Sequence, residues 1–194
     1  MEKQFFEDEI FNAINYTEQK FILGEYENCK FMNCDFASVD LSNNRFSTCD
    51  FISWNFSLCK ITQTAFRDIQ FKDCKLLGLH FENCNEFLFK TDFENCILNL
   101  SSFYKRSLKK SCFKNTSLFE VDFTESDLTA AVFENWDLSG AIFENTVLEK
   151  ADLRNAFNYT INPELNRISK AKFSTSSIAG LLTKYDIEID WSYL

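Results

Sequence analysis

The sequence predicts an all-β fold, a solenoid built from very short strands, on three observations. Large apolar residues recur every five positions, the position two before them prefers small or thiol side chains, and the residues between are mostly polar. The first series opens with Phe6, Phe11, Tyr16, Phe21, Tyr26 and Phe31 and runs unbroken to Leu76 and Phe81. After a seven-residue step it restarts at Leu88 and continues through Phe93, Leu98, Phe103 and Leu108 to Leu148 and Leu153, every position Phe or Leu. With 45% of 194 residues apolar, chance does not produce such a run.

A period of five suits neither regular element. It advances a helix by about 500°, which smears the large residues around the axis. In one long strand it would put alternate centres on opposite faces. The chain must therefore turn a corner every five residues. Residues two apart share a face of a short extended segment, so each centre and the position two before it point inward together. That second position holds Cys29, Cys34, Val39, Cys49, Cys59, Thr64, Cys74, Cys96, Ser111, Val121, Ser126, Ala131, Ala141 and Ala151. Trp54 and Trp136 occupy it too and, being oversized, are expected to distort that side or swing outward.

Stretches such as CKFMNCDFASVDL and ENWDLSGAIFENTVLEKADL resemble the pentapeptide-repeat proteins, whose loose pattern is A(D/N)LXX, and the resemblance covers about residues 6–157. It implies a right-handed quadrilateral β-helix, with one pentapeptide per side and twenty residues per coil. On that frame the strict Leu/Phe alternation from Leu88 to Leu148 stacks Phe on two opposite sides and Leu on the other two, which fills the interior at constant width. The solenoid domain is assigned to residues 1–157, with a break near residues 82–87 read as a bulge or short loop at one corner. Leu88 and Leu108 are expected to stack, bringing Glu86 below Arg106, where the two charges pair or that side is prised outward.

Residues 158–194 form a different segment, opened by the turn at Asn162-Pro163. Ile178, Leu181, Leu182 and Tyr185 fall at helical spacing after Ser177, an N-cap candidate, and Ile187, Ile189 and Trp191 alternate as in a short strand. Such a helix cannot bury its stripe alone. It either caps the last coil or packs against its own copy. The fragment FSTSSIAGLLTKYDIEID resembles the C-terminal segment of the quinolone-resistance, Qnr-type, branch, which implies a homodimer joined tail to tail through these four residues.

Chemistry is weighed next. The net charge of −9 disfavours direct binding to nucleic acid or anionic lipid and favours a basic partner surface. The first twenty residues lack an apolar signal core and no uncharged stretch is long enough to span a bilayer, so the chain reads as cytoplasmic, with reduced cysteines. Cys29 and Cys34 have a spacing compatible with zinc, but six cysteines share the inward register, where a buried thiol serves as a small hydrophobe. Cys84 keeps the first register into the break, and Cys112, just before Phe113, is expected to point outward; either thiol is a candidate for reactivity. His80 is expected to point outward, and with no phosphate loop, paired-carboxylate pocket or nucleophile elbow the chain is read as a non-enzyme without cofactor or metal.

What remains is charge. Residues 115–149 contain Glu120, Asp122, Glu125, Asp127, Glu134, Asp137, Glu144 and Glu149 and no Lys or Arg, directly after a basic segment with Lys105, Arg106, Lys109, Lys110 and Lys114. The Qnr-type resemblance implies a rod-shaped DNA mimic that binds bacterial type II topoisomerase (gyrase or topoisomerase IV) and protects it from quinolones, with these acids facing the enzyme. The alternative is a structural or scaffolding solenoid that contacts another protein through a flat side.

Overall fold

The computed structural model describes residues 3–134 and 136–190. It is a parallel β-solenoid of about eight turns. Each side of the coil is a column of residues that pair at intervals of 20. Side 1 begins with the strands Gln4–Glu7, Gly24–Glu27, Arg45–Ser47 and Ala65–Arg67, which set Phe6, Tyr26, Phe46 and Phe66 in register. Side 2 is the longest ladder, nine parallel strands from Ile10–Asn12 to Lys172–Phe173, with Phe11, Phe31, Phe51, Phe71, Phe93, Phe113 and Phe133 stacked along it. Side 4 is held by single bridges, such as Ser102 with Asp122, and side 3 by single bridges such as Asn55 with Lys75 and by one short ladder, Trp136–Asp137 with Ala156–Phe157.

The corners explain the period. The residue two after each centre has a left-handed backbone at nearly every turn, for example Asn33 (φ 54°), Ser53 (59°), Leu100 (60°) and Glu125 (55°). A non-glycine residue is uncommon there. The turn is clamped by the residue before the centre, whose Asp or Asn oxygen accepts the N–H two residues on: Asp35 from Ala37, Asp40 from Ser42, Asn55 from Ser57. This is why Asp or Asn so often precedes the central residue.

Inside, the expected ladders form. Every centre from Tyr16 to Phe81 and from Phe93 to Leu153 is buried, while Phe6 and Phe11 of the open first coil are half-buried. Rings stack face to face along side 2 (Phe93–Phe113, 5.4 Å between centroids) and side 4 (Phe103–Phe123, 5.6 Å), with Leu98, Leu118, Leu108 and Leu128 filling sides 3 and 1. The preference for thiols in the second inward position has a polar reason as well as a steric one. Cys59 Sγ donates to the Phe36 carbonyl (2.7 Å), Cys74 to Phe51 (3.3 Å) and Cys96 to Phe71 (3.3 Å), and Thr64 and Ser101 do the same with hydroxyls. The side chain thus satisfies a buried carbonyl of the neighbouring coil. Burial pushes the Cys49 and Cys59 thiols up to about 12.

Three expectations are corrected. Trp54 does not swing outward. It is 2% exposed and lies on Phe36 with ring centroids 4.1 Å apart, because its neighbours in the column, Cys34 and Cys74, are small enough to leave room. The side chain of Trp136, like Trp191, lies outside what is described. At the break, Leu88 does not stack under Leu108: it is 64% exposed with φ 58°, and Phe89 turns inward in its place. The Glu86–Arg106 pair does not form among the described residues. Glu86 is exposed, and Arg106 Nη2 donates to the carbonyls of Glu82 and Cys84 (2.9 Å to the latter). Carbonyls exposed by the two-residue insertion, not a carboxylate, take this charge.

The C-terminal helix is also of another kind. Thr175–Leu181 and Thr183–Tyr185 are 3-10 turns, and 187–190 form no strand. The Gly180 carbonyl accepts from Ile161 N–H (2.9 Å), and a Cβ at Gly180 would collide with the Tyr159 carbonyl oxygen. The segment is pressed flat on the last coil, which spends a carbonyl that an α-helix would have used. Ser177 lies within the turn and accepts from Tyr159 Oη (3.2 Å) rather than capping it.

Candidate protein-binding surface

The five-residue rule places the eight acids by arithmetic, and they do not share one side. Asp122 and Glu144 lie on side 4, Glu125 at its far corner and Glu120 at its near corner with side 3. Asp127 and Glu149 are on side 1, Glu134 is on side 2 and Asp137 on side 3. Side 4 and its corners therefore gather four acids on two consecutive coils. Glu120 reaches across the next coil because Gly140 (φ +71°) has no side chain, so that the Glu120 Cγ lies 2.8 Å from where a Cβ would be.

Part of this charge is already spent. Glu125 faces Lys105 (3.4 Å), Asp127 faces Lys109 (3.1 Å) and Glu149 faces Arg167 (2.6 Å). The basic segment thus lies one coil below the acidic one and neutralises some of it, a relation that sequence adjacency hides and the 20-residue coil makes plain. Lys114 turns the other way, to Glu94 (3.2 Å). Asp122, Asp127 and Asp137 also clamp their own turns through Thr124, Thr129 and Ser139. Burial works against ionisation of Asp127, but the Thr129 hydroxyl and N–H and the Lys109 ammonium outweigh it and hold the carboxyl below its usual range. The Ser139 hydroxyl does the same for Asp137.

In the C-terminal segment, Leu181 packs on the core, Leu182 is half-buried, and Ile178 (39% exposed) and Tyr185 (51%) remain outside. Tyr185 Oη donates to Glu164 (3.1 Å). One stripe residue is thus used for capping, one is half-buried, and two stay exposed.

The other chemistry-bearing residues fall as follows. His80 Nδ1 lies 2.8 Å from Glu82 Oε1 on the surface. Cys84 is buried, which raises its pKa strongly, and Cys112 is half-exposed beside Asp92, whose carboxylate accepts the Cys112 N–H (2.7 Å). Among the described residues no three His, Cys, Asp or Glu side chains come together as a metal site, and no helix is long and apolar enough to cross a membrane.

Two surface features were missed in the sequence. Leu58 and Leu100 at the corner of sides 3 and 4, with half-buried Leu77 and exposed Phe119 one residue before that corner on the alternate coils, put an apolar ridge in positions that are mostly polar elsewhere. Phe87 and Leu88 protrude at the break. Apolar residues in outward registers were the available signal for both.

A family model described as pentapeptide repeats matches residues 116–155 as eight copies. No curated protein matches the chain. Among solved structures, a trypsin-treated variant of QnrB1, a plasmid-mediated fluoroquinolone resistance protein, is 19% identical, with 96% of this chain and 100% of that one covered and a TM-score of 0.48. HetL, a pentapeptide repeat protein involved in heterocyst differentiation regulation from the cyanobacterium Nostoc, is 14% identical, with coverage of 87% and 85% and a TM-score of 0.40.

Proposed function

We propose that this chain, whose residues 116–155 are pentapeptide repeats and whose remaining coils continue the same shaft, is a DNA-mimicking protein that binds bacterial type II topoisomerase and protects it from quinolones. The observation that carries the reading is the gathering of Glu120, Asp122, Glu125 and Glu144 on one side of the solenoid and its corners. Nine strands on side 2 span eight gaps, about 38 Å at about 4.8 Å each. That length of duplex DNA is about 11 base pairs with about 22 phosphate charges, against a net charge of −9 here. Shape and a few placed carboxylates therefore carry recognition, and binding weakens with salt. In this reading two copies join through Ile178 and Tyr185, the residues their own coil leaves exposed, to double the rod.

The test is a gyrase supercoiling assay with and without a fluoroquinolone, using the wild-type chain and the double variant D122K/E144K. Inhibition or drug protection by the wild type, lost in a folded variant, supports the reading. No effect of the wild type at micromolar concentration refutes it. A second reading, a scaffold for a different protein, is favoured by one observation: the apolar ridge of Leu58, Leu77, Leu100 and Phe119, which imitation of a polyanion does not require. Retained partner binding in D122K/E144K with loss in L100S would select it.

A further inference from the structure

The break in register builds a site of its own. Two extra residues enter between Cys84 and Phe89, and the chain absorbs them by pushing Phe87 and Leu88 outward on side 1, where they are 62% and 64% exposed. Arg67, one coil below, lays its guanidinium over the Phe87 ring at 5.1 Å from the centroid. Beside them opens a groove of about 400 Å³ lined by Arg67, Asp68, Leu88, Lys90, Ser107 and Lys109. Its wall is apolar where Leu88 and Phe89 face it, and its rim holds three cations against one carboxylate on a chain of net charge −9.

These cations are not equally committed. Lys90 is held by Asp68 (2.5 Å) and Lys109 by Asp127 (3.1 Å). Arg67 Nε is buried and has no hydrogen-bond partner. A buried donor without an acceptor is costly, and a guanidinium that lies over an aromatic ring can still take a carboxylate through its terminal nitrogens. The overall negative charge opposes a polyanion such as nucleic acid or an anionic bilayer, whereas a short peptide with a few carboxylates meets only the local field.

We propose that this groove docks an acidic segment of a partner protein, one that sets a bulky apolar side chain against Leu88 and an adjacent carboxylate on Arg67. The site lies on side 1, away from the acids of side 4, and stands independently of the topoisomerase reading. Fluorescence anisotropy tests it with the full chain and a labelled peptide carrying a Leu-Phe pair among Glu residues, beside two controls: the same peptide with Gln for Glu, and with Ser-Ser for Leu-Phe. Saturable binding of the first peptide alone is expected, weakened about tenfold or more by Arg67→Gln or Leu88→Ser and unchanged by Phe119→Ser on the apolar ridge. Lys109→Glu provides a second charge variant, and circular dichroism checks that each variant is folded. Absence of binding, equal binding of the Gln peptide, or wild-type affinity in the Arg67 and Leu88 variants overturns the proposal.

Discussion

Replacing Phe103 with Ala tests whether the stacked rings hold the shaft together. Phe103 is fully buried on side 4, face to face with Phe81 (4.5 Å, 5° between planes) and Phe123 (5.6 Å, 5°), and edge-on to Phe93 (6.0 Å) and Phe113 (6.3 Å). Phe81 and Phe123 are two rungs apart, about 9.6 Å, and are tied to the backbone ladder, so they cannot close over the gap. The loss should therefore fall in the upper part of the usual range for such truncations, about 3–5 kcal/mol. Each aromatic pair contributes about 0.5–1.5 kcal/mol beyond the area it buries. Against a total stability of about 5–15 kcal/mol this is a large share. Phe119→Ala is the control, since Phe119 is 45% exposed on an outward position and should cost no more than about 1 kcal/mol. Urea unfolding followed by circular dichroism gives both values. A cost below about 1 kcal/mol for Phe103→Ala, or equal costs for the two variants, would refute the reasoning.

Further outcomes follow from the inward polar groups and the ends. Cys59→Ala removes the donor to the Phe36 carbonyl and should cost about 1–3 kcal/mol, whereas Cys59→Ser restores part of it; equal stability of wild type and Cys59→Ala in urea would show that the thiol bond is idle. The Cys49 and Cys59 thiols are raised by burial to about 12, above the unfolded value of about 8.5. The fold thus favours the protonated form, so their contribution is complete below about pH 8.5 and declines as pH rises toward 12; a urea midpoint that holds steady or rises over that window contradicts this. Gly180→Ala should lift the C-terminal segment off Tyr159, seen as faster tryptic cleavage after Lys184 with an unchanged solenoid spectrum; wild-type cleavage rates would count against the contact.

The interior was legible because it repeats. A residue such as Phe51 meets the same surroundings as Phe31 and Phe71, so one rule read from spacing covers the whole ladder. The rule failed where the environment is singular. Trp54 is accommodated by the two small neighbours in its column, a relation between residues 20 apart that no local window contains. At the break, the five-residue spacing back from Phe93 points to Leu88 for the inward place, yet the coil takes Phe89, only four residues before Phe93, and leaves Leu88 outside; both are large and apolar, so composition could not reveal the switch. Helical spacing in Ile178, Leu181, Leu182 and Tyr185 was real, but tertiary contact with Tyr159 and Ile161 overrode the local preference. The acids were identifiable as a run, and only the coil length reveals that several of them face Lys105 and Lys109.

The most direct test of a continuous shaft is a distance along it. Spin labels at Lys30→Cys and Lys172→Cys, in a Cys112→Ala background, sit on exposed positions of side 2 in strands separated by seven rungs. Pulsed electron paramagnetic resonance should return one distance near 34 Å, from about 4.8 Å per rung. A peak well under that length, or a broad distribution without a maximum, would contradict the account.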